Sequence, residues 1–151
     1  ATGMLGGGRT GSLLWYLHSY STFLVPATVK AECLRSRDQQ RRESHDSFMK
    51  VLFGELQVDN VVALEYRTKE LEKYHPKMND RRIFAEAELV GLRTLLSYDD
   101  NFINRLSGKS ATLRLMRPSE FWMQKAVPKG ALPKKRPHIT NPLSSKTWWH
   151  W

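Results

Sequence analysis

Apolar positions in the middle of the chain recur every three or four residues. After Asp59 they fall at Val61, Leu64 and Leu71, with Thr68 in the same row; after Asn79 and Asp80 they fall at Ile83, Phe84, Ala87, Val90 and Leu95. That period puts each set on one face of an α-helix. Asp59 suits the N-cap of the first helix and Asn79 or Asp80 that of the second, because a short polar side chain accepts from amides left open at a helix start. The pattern predicts helices over 59–74 and 79–97, broken at Tyr74-His75-Pro76. A link this short makes them an antiparallel hairpin, with Leu64, Leu71, Phe84 and Val90 buried in it. Glu65 and Lys69 stand in the favourable i,i+4 order. Asp99 or Asp100 starts a further turn carrying Phe102, Ile103 and Leu106, stopped by Gly108. No strand alternation of useful length and no internal repeat is visible.

Upstream, residues 28–53 contain no proline or glycine and are rich in Arg, Gln, Glu and Lys, which predicts one long helix. Its centre, 35–47, is polar on every face, and His45-Asp46 reads as an exposed pair. Phe48, Val51 and Leu52 restore an apolar stripe before Gly54. Residues 10–29 carry no Asp, Glu, Lys or Arg, a length that spans a bilayer core of ~30 Å as a helix. Leu13, Leu14, Trp15, Leu17, Phe23 and Leu24 are the membrane-facing candidates, diluted by His18, Ser19, Ser21 and Thr22 and stopped by Pro26. A short buried helix ending before Pro26 competes with that reading. A secretory signal fits poorly, because no clear small-residue cleavage site follows a compact apolar run. The head, with Gly3, Gly6, Gly7, Gly8 and Gly11, has no hydrophobic pattern.

Charge divides the chain more sharply than hydropathy does. The net charge is +9 over 151 residues, and it runs +2 over 1–30, −1 over 31–60, +1 over 61–110 and +7 over 111–151. The last segment also holds Pro118, Pro128, Pro133, Pro137 and Pro142, which predicts an extended rather than helical course. The expected organisation is a Gly-rich head and uncharged segment over 1–26, a helical body over 27–110, and a basic Pro-rich tail over 111–151. The fold class is mainly α: a helical hairpin body with extended N- and C-terminal segments. A strongly basic tail calls for an acidic partner: nucleic acid, anionic lipid or acidic protein.

Candidate chemistry is sparse. Gly6-Gly7-Gly8-Arg9-Thr10-Gly11-Ser12 lacks the lysine and preceding strand of a phosphate-binding loop. The five histidines show no metal spacing, and the one cysteine, Cys33, excludes an internal disulfide. Asp99-Asp100 lacks the further oxygen ligands of a calcium loop. No catalytic residue, metal ligand or cofactor is expected. In the tail, Lys125, Lys129, Lys134, Lys135 and Arg136 alternate with prolines and can follow a phosphate backbone. Trp148, Trp149 and Trp151 suit either stacking on unpaired bases or anchoring in a protein groove.

Two stretches invite comparison with known families. Leu64-Glu65-Tyr66-Arg67 resembles an interrupted Leu-Tyr-Arg signature, the mark of small basic three-helix accessory and assembly proteins of mitochondrial respiratory complexes. In that family the signature is contiguous and near the start of the first helix; with Glu65 inserted, acyl-carrier-protein binding does not transfer. Phe53-Gly54, Tyr74-His75-Pro76 and 129–135 (Lys-Gly-Ala-Leu-Pro-Lys-Lys) resemble, in order though not in spacing, marks of a small mitochondria-specific protein of the ribosomal small subunit. Both resemblances imply the mitochondrion. The reading that follows is a non-catalytic accessory subunit of a respiratory-chain complex at the inner membrane, with a scaffolding or assembly role. Its expected partners are neighbouring subunits and anionic lipid. The alternative is a mitochondrial ribosomal protein whose tail contacts rRNA.

Overall fold

The computed structural model describes residues 14, 16–128, 131, 134 and 138–140, and only the backbone at Phe48, Val51 and Leu52. The fold is mainly α. Its helices are α1 (Ala27–Leu34), α2 (Gln39–Leu52), α3 (Val61–Glu70), α4 (Met78–Leu89), α5 (Asp100–Leu106) and α6 (Pro118–Lys125); its strands are β1 (Phe23–Pro26), β2 (Phe53–Leu56), β3 (Thr94–Leu96) and β4 (Arg114–Met116). Two compact units divide the described residues. One holds those up to Val25, then Val29–Gly54, and those from Trp122 on; the other holds Pro26–Thr28 and Glu55–Phe121.

The second unit contains the expected helical pair. Asn60, one residue later than expected, caps α3 by accepting from the Ala63 amide at 2.9 Å. The helix tightens into a 3₁₀ turn over Leu71–Lys73. α4 begins at Met78, earlier than expected, so that Lys77 holds the N-cap position without a side-chain cap and Asp80, inside the first turn, is engaged by His75. Leu64, Leu71, Phe84, Ala85, Ala87, Phe102, Leu106 and Leu113 form one buried cluster. Leu71, Phe84 and Leu106 have no exposed surface at all. Val90, expected inside, is 39 % exposed. The reason is that α4 stops at Leu89. Gly91 takes φ +80°, with Gly91 N–H donating to Glu88 O and Leu92 N–H to Ala87 O, each at 3.0 Å. This 6→1 and 5→2 pattern closes a helix around a left-handed residue, and only glycine takes that conformation without strain.

Past Gly91 the chain forms the strands the alternation test missed. β3 and β4 pair in parallel, Thr94 opposite Arg114 and Leu96 opposite Met116. Parallel neighbours need a crossover, which residues 97–113 supply with α5. Asp99 caps α5 as expected, accepting from the Phe102 amide at 3.1 Å, and Gly108 ends it at φ +73°. The tail is not extended throughout. Pro118 opens α6 at the one helical position where a missing N–H costs nothing, and Glu120 reaches back to accept from the Arg117 amide at 2.8 Å.

The first unit corrects two further expectations. The helix expected over 28–53 is two helices, because Asp38 caps α2 by accepting from the Arg41 amide at 3.1 Å. The uncharged stretch is not one helix either. Its helical start at Leu14, Tyr16 and Leu17 turns over 18–20 and becomes β1, which pairs with β2. Phe23 and Val25 favour a strand, and Pro26 holds the residue before it extended. A Cβ on Gly54 would lie 2.8 Å from Leu24 Cδ2, so a larger residue there in β2 would displace the end of the Leu24 side chain. Val25, Cys33 and Met49 form a small core flanked by Val29 and Phe53.

Leu71→Ala removes a fully buried side chain from the centre of the helical pair and should lower stability by about 2–5 kcal/mol, read from urea midpoints. A loss comparable to that at an exposed site would contradict this core.

Candidate functional site

The residues expected to meet a partner are scattered. Lys125 ends α6 on an exposed face. Lys134 Nζ sits 4.5 Å from the centre of the Tyr20 ring, whose neighbour Tyr16 is 5.4 Å away. Lys129, Lys135, Arg136, Trp148, Trp149 and Trp151 lie outside the described residues, as do Leu13 and Trp15. Leu14 and Leu17 are buried, while Phe23 and Leu24 are half-buried in β1. Among the described residues no helix is long and apolar enough to cross a membrane. An open recess of about 520 Å³ is lined by residues 18–23 with Phe53 and Gly54.

The second unit presents a different kind of surface, set by how its ions pair. Arg67 is the hub. Its Nε donates to Glu88 Oε2 at 2.6 Å and its Nη2 to Glu88 Oε1 at 3.2 Å, while Nη1 reaches Glu70 and Nη2 also donates to the Lys109 carbonyl at 2.6 Å. The fork shape of a guanidinium makes this two-point grip possible. Arg67 therefore serves the α3–α4 packing, so the arginine of the Leu-Tyr-Arg resemblance has a structural use here, while Tyr66 is exposed. Glu72 pairs with Arg81, Glu86 with Arg82 and with the Thr28 hydroxyl at 2.8 Å, and Asp100 with Arg117. Asp80 takes His75, and Lys77 lies within 4.0 Å of Asp80 and Asp99.

This pairing leaves an imbalance. Lys69, Lys73, Arg93, Arg105, Lys109 and Arg114 have no acidic partner among the described residues, and of the acids only Asp59 and Glu65 stand alone. The expected Glu65–Lys69 pair does not form; both side chains point into solvent, where such a pair gains little. Lys73 Nζ and Lys109 Nζ instead converge on the Tyr74 ring, 5.0 Å and 4.5 Å from its centre. Nothing in the sequence spacing reveals this, because the last two residues are 35 positions apart.

Buried titratable groups complete the inventory. His45 is buried, not exposed, and neither ring nitrogen makes a hydrogen bond of normal geometry. Burial pushes its imidazole below the ordinary histidine range, partly offset by the Cys33 backbone. Burial also pushes the Cys33 thiol up, away from the reactive thiolate. The Phe102 amide, with Lys77 nearby, holds the Asp99 carboxyl below the usual carboxylate range. Among the described residues no group of three His, Cys, Asp or Glu side chains could hold a metal ion. Comparisons with family models, curated proteins and solved structures find no match for this chain.

Two outcomes follow. Arg67→Ala strands Glu88 in a half-buried position and should cost about 1.5–3 kcal/mol, the range for hydrogen bonds to charged groups, with Arg67→Lys recovering only part; an unchanged urea midpoint for Arg67→Ala would remove it as the hub. His45 binds its proton less readily folded than unfolded, so the unfolded chain takes up more protons as pH falls. Its full contribution is present above the unfolded value near 6.5 and is lost as pH drops toward the depressed folded value. Stability measured from about pH 8 to about pH 5 should decline in that window, and His45→Leu should flatten the decline. Identical curves would exonerate His45.

Proposed function

We propose that this chain is a non-catalytic structural subunit of a large mitochondrial ribonucleoprotein, a ribosomal protein that lies on RNA through basic surface. The single observation that carries the reading is the charge imbalance. The helical unit spends most of its acids on internal pairs and turns six unpaired cations outward, and the +7 segment over 111–151 adds to them. Cations without carboxylates favour a polyanion, since each phosphate they neutralise releases counterions. The resemblance of Tyr74-His75-Pro76 and its companion marks to a small-subunit ribosomal protein supports the compartment.

The accessory subunit of a respiratory-chain complex is the second reading. It draws on the uncharged residues 10–29 and on cardiolipin as an alternative source of phosphate. It loses support from the turn and strand that interrupt that stretch, and from Leu14 and Leu17 being buried.

Ultraviolet crosslinking of the tagged chain in intact cells, followed by sedimentation of a gentle mitochondrial extract, separates the two. The chain should crosslink to RNA and sediment with a ribosomal subunit in a ribonuclease-sensitive manner. Co-migration with a respiratory complex that survives ribonuclease would overturn the proposal.

A further inference from the structure

The sequence directs attention to the tail as the RNA contact, yet the helical unit carries a row of its own. Val62, Tyr66, Lys69 and Lys73 follow one another at four, three and four residues along α3 and its 3₁₀ turn, the spacing that keeps side chains on one helix face. All four are exposed; Val62 and Tyr66 keep 79 % and 67 % of their surface. At the far end Lys109 joins the row, because Lys73 and Lys109 approach the same Tyr74 ring. Those two distances hold the ammonium groups no more than ~9.5 Å apart. None of the three lysines has an acidic partner among the described residues. Of the acids beside the row, Glu70 is engaged by Arg67 and Glu72 by Arg81, while Glu65, one turn before Lys69, is exposed and leaves a single carboxylate against three ammonium groups.

We infer that this row, Tyr66 with Lys69, Lys73 and Lys109, is a second RNA-contacting surface, separate from the tail, that takes a single-stranded segment of backbone. Three ammonium groups along one edge match successive phosphates, while the exposed Tyr66 ring at the near end of the row offers a stacking face to an unpaired base. The row suits a strand better than a lipid surface. A bilayer would require apolar side chains to enter beside the cations, and the exposed Val61 and Val62 stand together at the start of the helix, more than a turn from the nearest of the three lysines. Like charges converging on one ring repel each other in the free protein, and an anion placed between them relieves that repulsion.

The inference rests on the RNA-binding function proposed above, and its test keeps the two distinguishable. The full chain is titrated with fluorescein-labelled oligouridine over a series of salt concentrations, in parallel with vesicles of phosphatidylcholine and cardiolipin. The Lys69→Gln/Lys73→Gln/Lys109→Gln variant should bind the RNA more weakly, and its slope of log affinity against log salt should be shallower by about 2, at ~0.7 per single-strand phosphate contact. The corresponding triple Lys→Arg variant should restore the slope, and Tyr66→Ala should weaken binding by about 5-fold or more with the slope unchanged. These positions are exposed, so thermal midpoints should match the parent; the arginine variant separates lost charge from lost fold. Salt-sensitive RNA binding by the parent with the same slope in the glutamine variant would overturn this surface and leave the tail as the contact. Binding to the vesicles with none to the RNA would overturn the proposed function, and this surface with it.

Discussion

Leu71, in the 3₁₀ turn that ends the first arm of the helical pair, and Phe84, in the second arm, leave no surface to solvent, and the second unit is arranged around the one buried cluster they share. A 3₁₀ turn carries Leu71 inward where α3 would otherwise end, and α4 answers with Phe84, Ala85 and Ala87. All three are fully buried, two of them with the smallest apolar side chain and one with a large ring. Once the pair is seated, Arg67 and Glu88 face each other across it and can grip at two points. The fork adds alignment more than net energy, since partly desolvated ions give back much of their attraction. Hydrophobic burial sets where the helices meet, and the ion pair sets how.

The same arrangement decides what the surface can offer. Acids are drawn to places where the fold needs an acceptor: Glu88 to Arg67, Asp80 to His75, Asp99 to the start of α5, Glu86 to Thr28 and Glu120 to the Arg117 amide. Apart from Lys77, which lies beside Asp80 and Asp99, the lysines of this unit meet no carboxylate among the described residues, because an ammonium on a long stem stays hydrated at little cost. A unit that is formally neutral over Glu55–Phe121 thus shows unpaired cations on its outside. Net charge by segment, which pointed to the tail alone, conceals this separation.

The fold was legible wherever one signal was strong and local. The 3.6 period at Leu64, Leu71 and Phe84 gave the helical pair, and Asp99 with Gly108 bracketed α5. The errors have physical causes. Val90, Leu92 and Leu95 continue the apolar series past the helix, so the stop at Gly91 is visible only through its left-handed conformation. β3 and β4 are three residues each and exist by pairing across 17 intervening positions, which no alternation test can see. Prolines in the tail were read as helix breakers, although Pro118 is a helix starter in its actual place. His45 sits in a helix that looks polar all round, and only the tertiary fold reveals that it is buried. The candidate surface was half legible: basic residues were evident, but which of them lack a partner depends on contacts between residues far apart in sequence.

Burial itself argues for a partner. In the first unit, Val25, Cys33 and Met49 make a small core, and an unpartnered imidazole at His45 is buried as well. A buried polar group without a hydrogen bond costs stability, and so small a core has little to set against it. In the second unit Arg81 is buried with Nε lacking a hydrogen bond and Nη1 meeting only Glu72, at 3.4 Å, a carboxylate mostly in solvent. Structures carrying such costs persist when binding to the folded form adds free energy that the isolated chain lacks. The polyanion proposed as partner is suited to that role: it would compensate the outward cations that the internal pairing leaves over, and it need not enter either core.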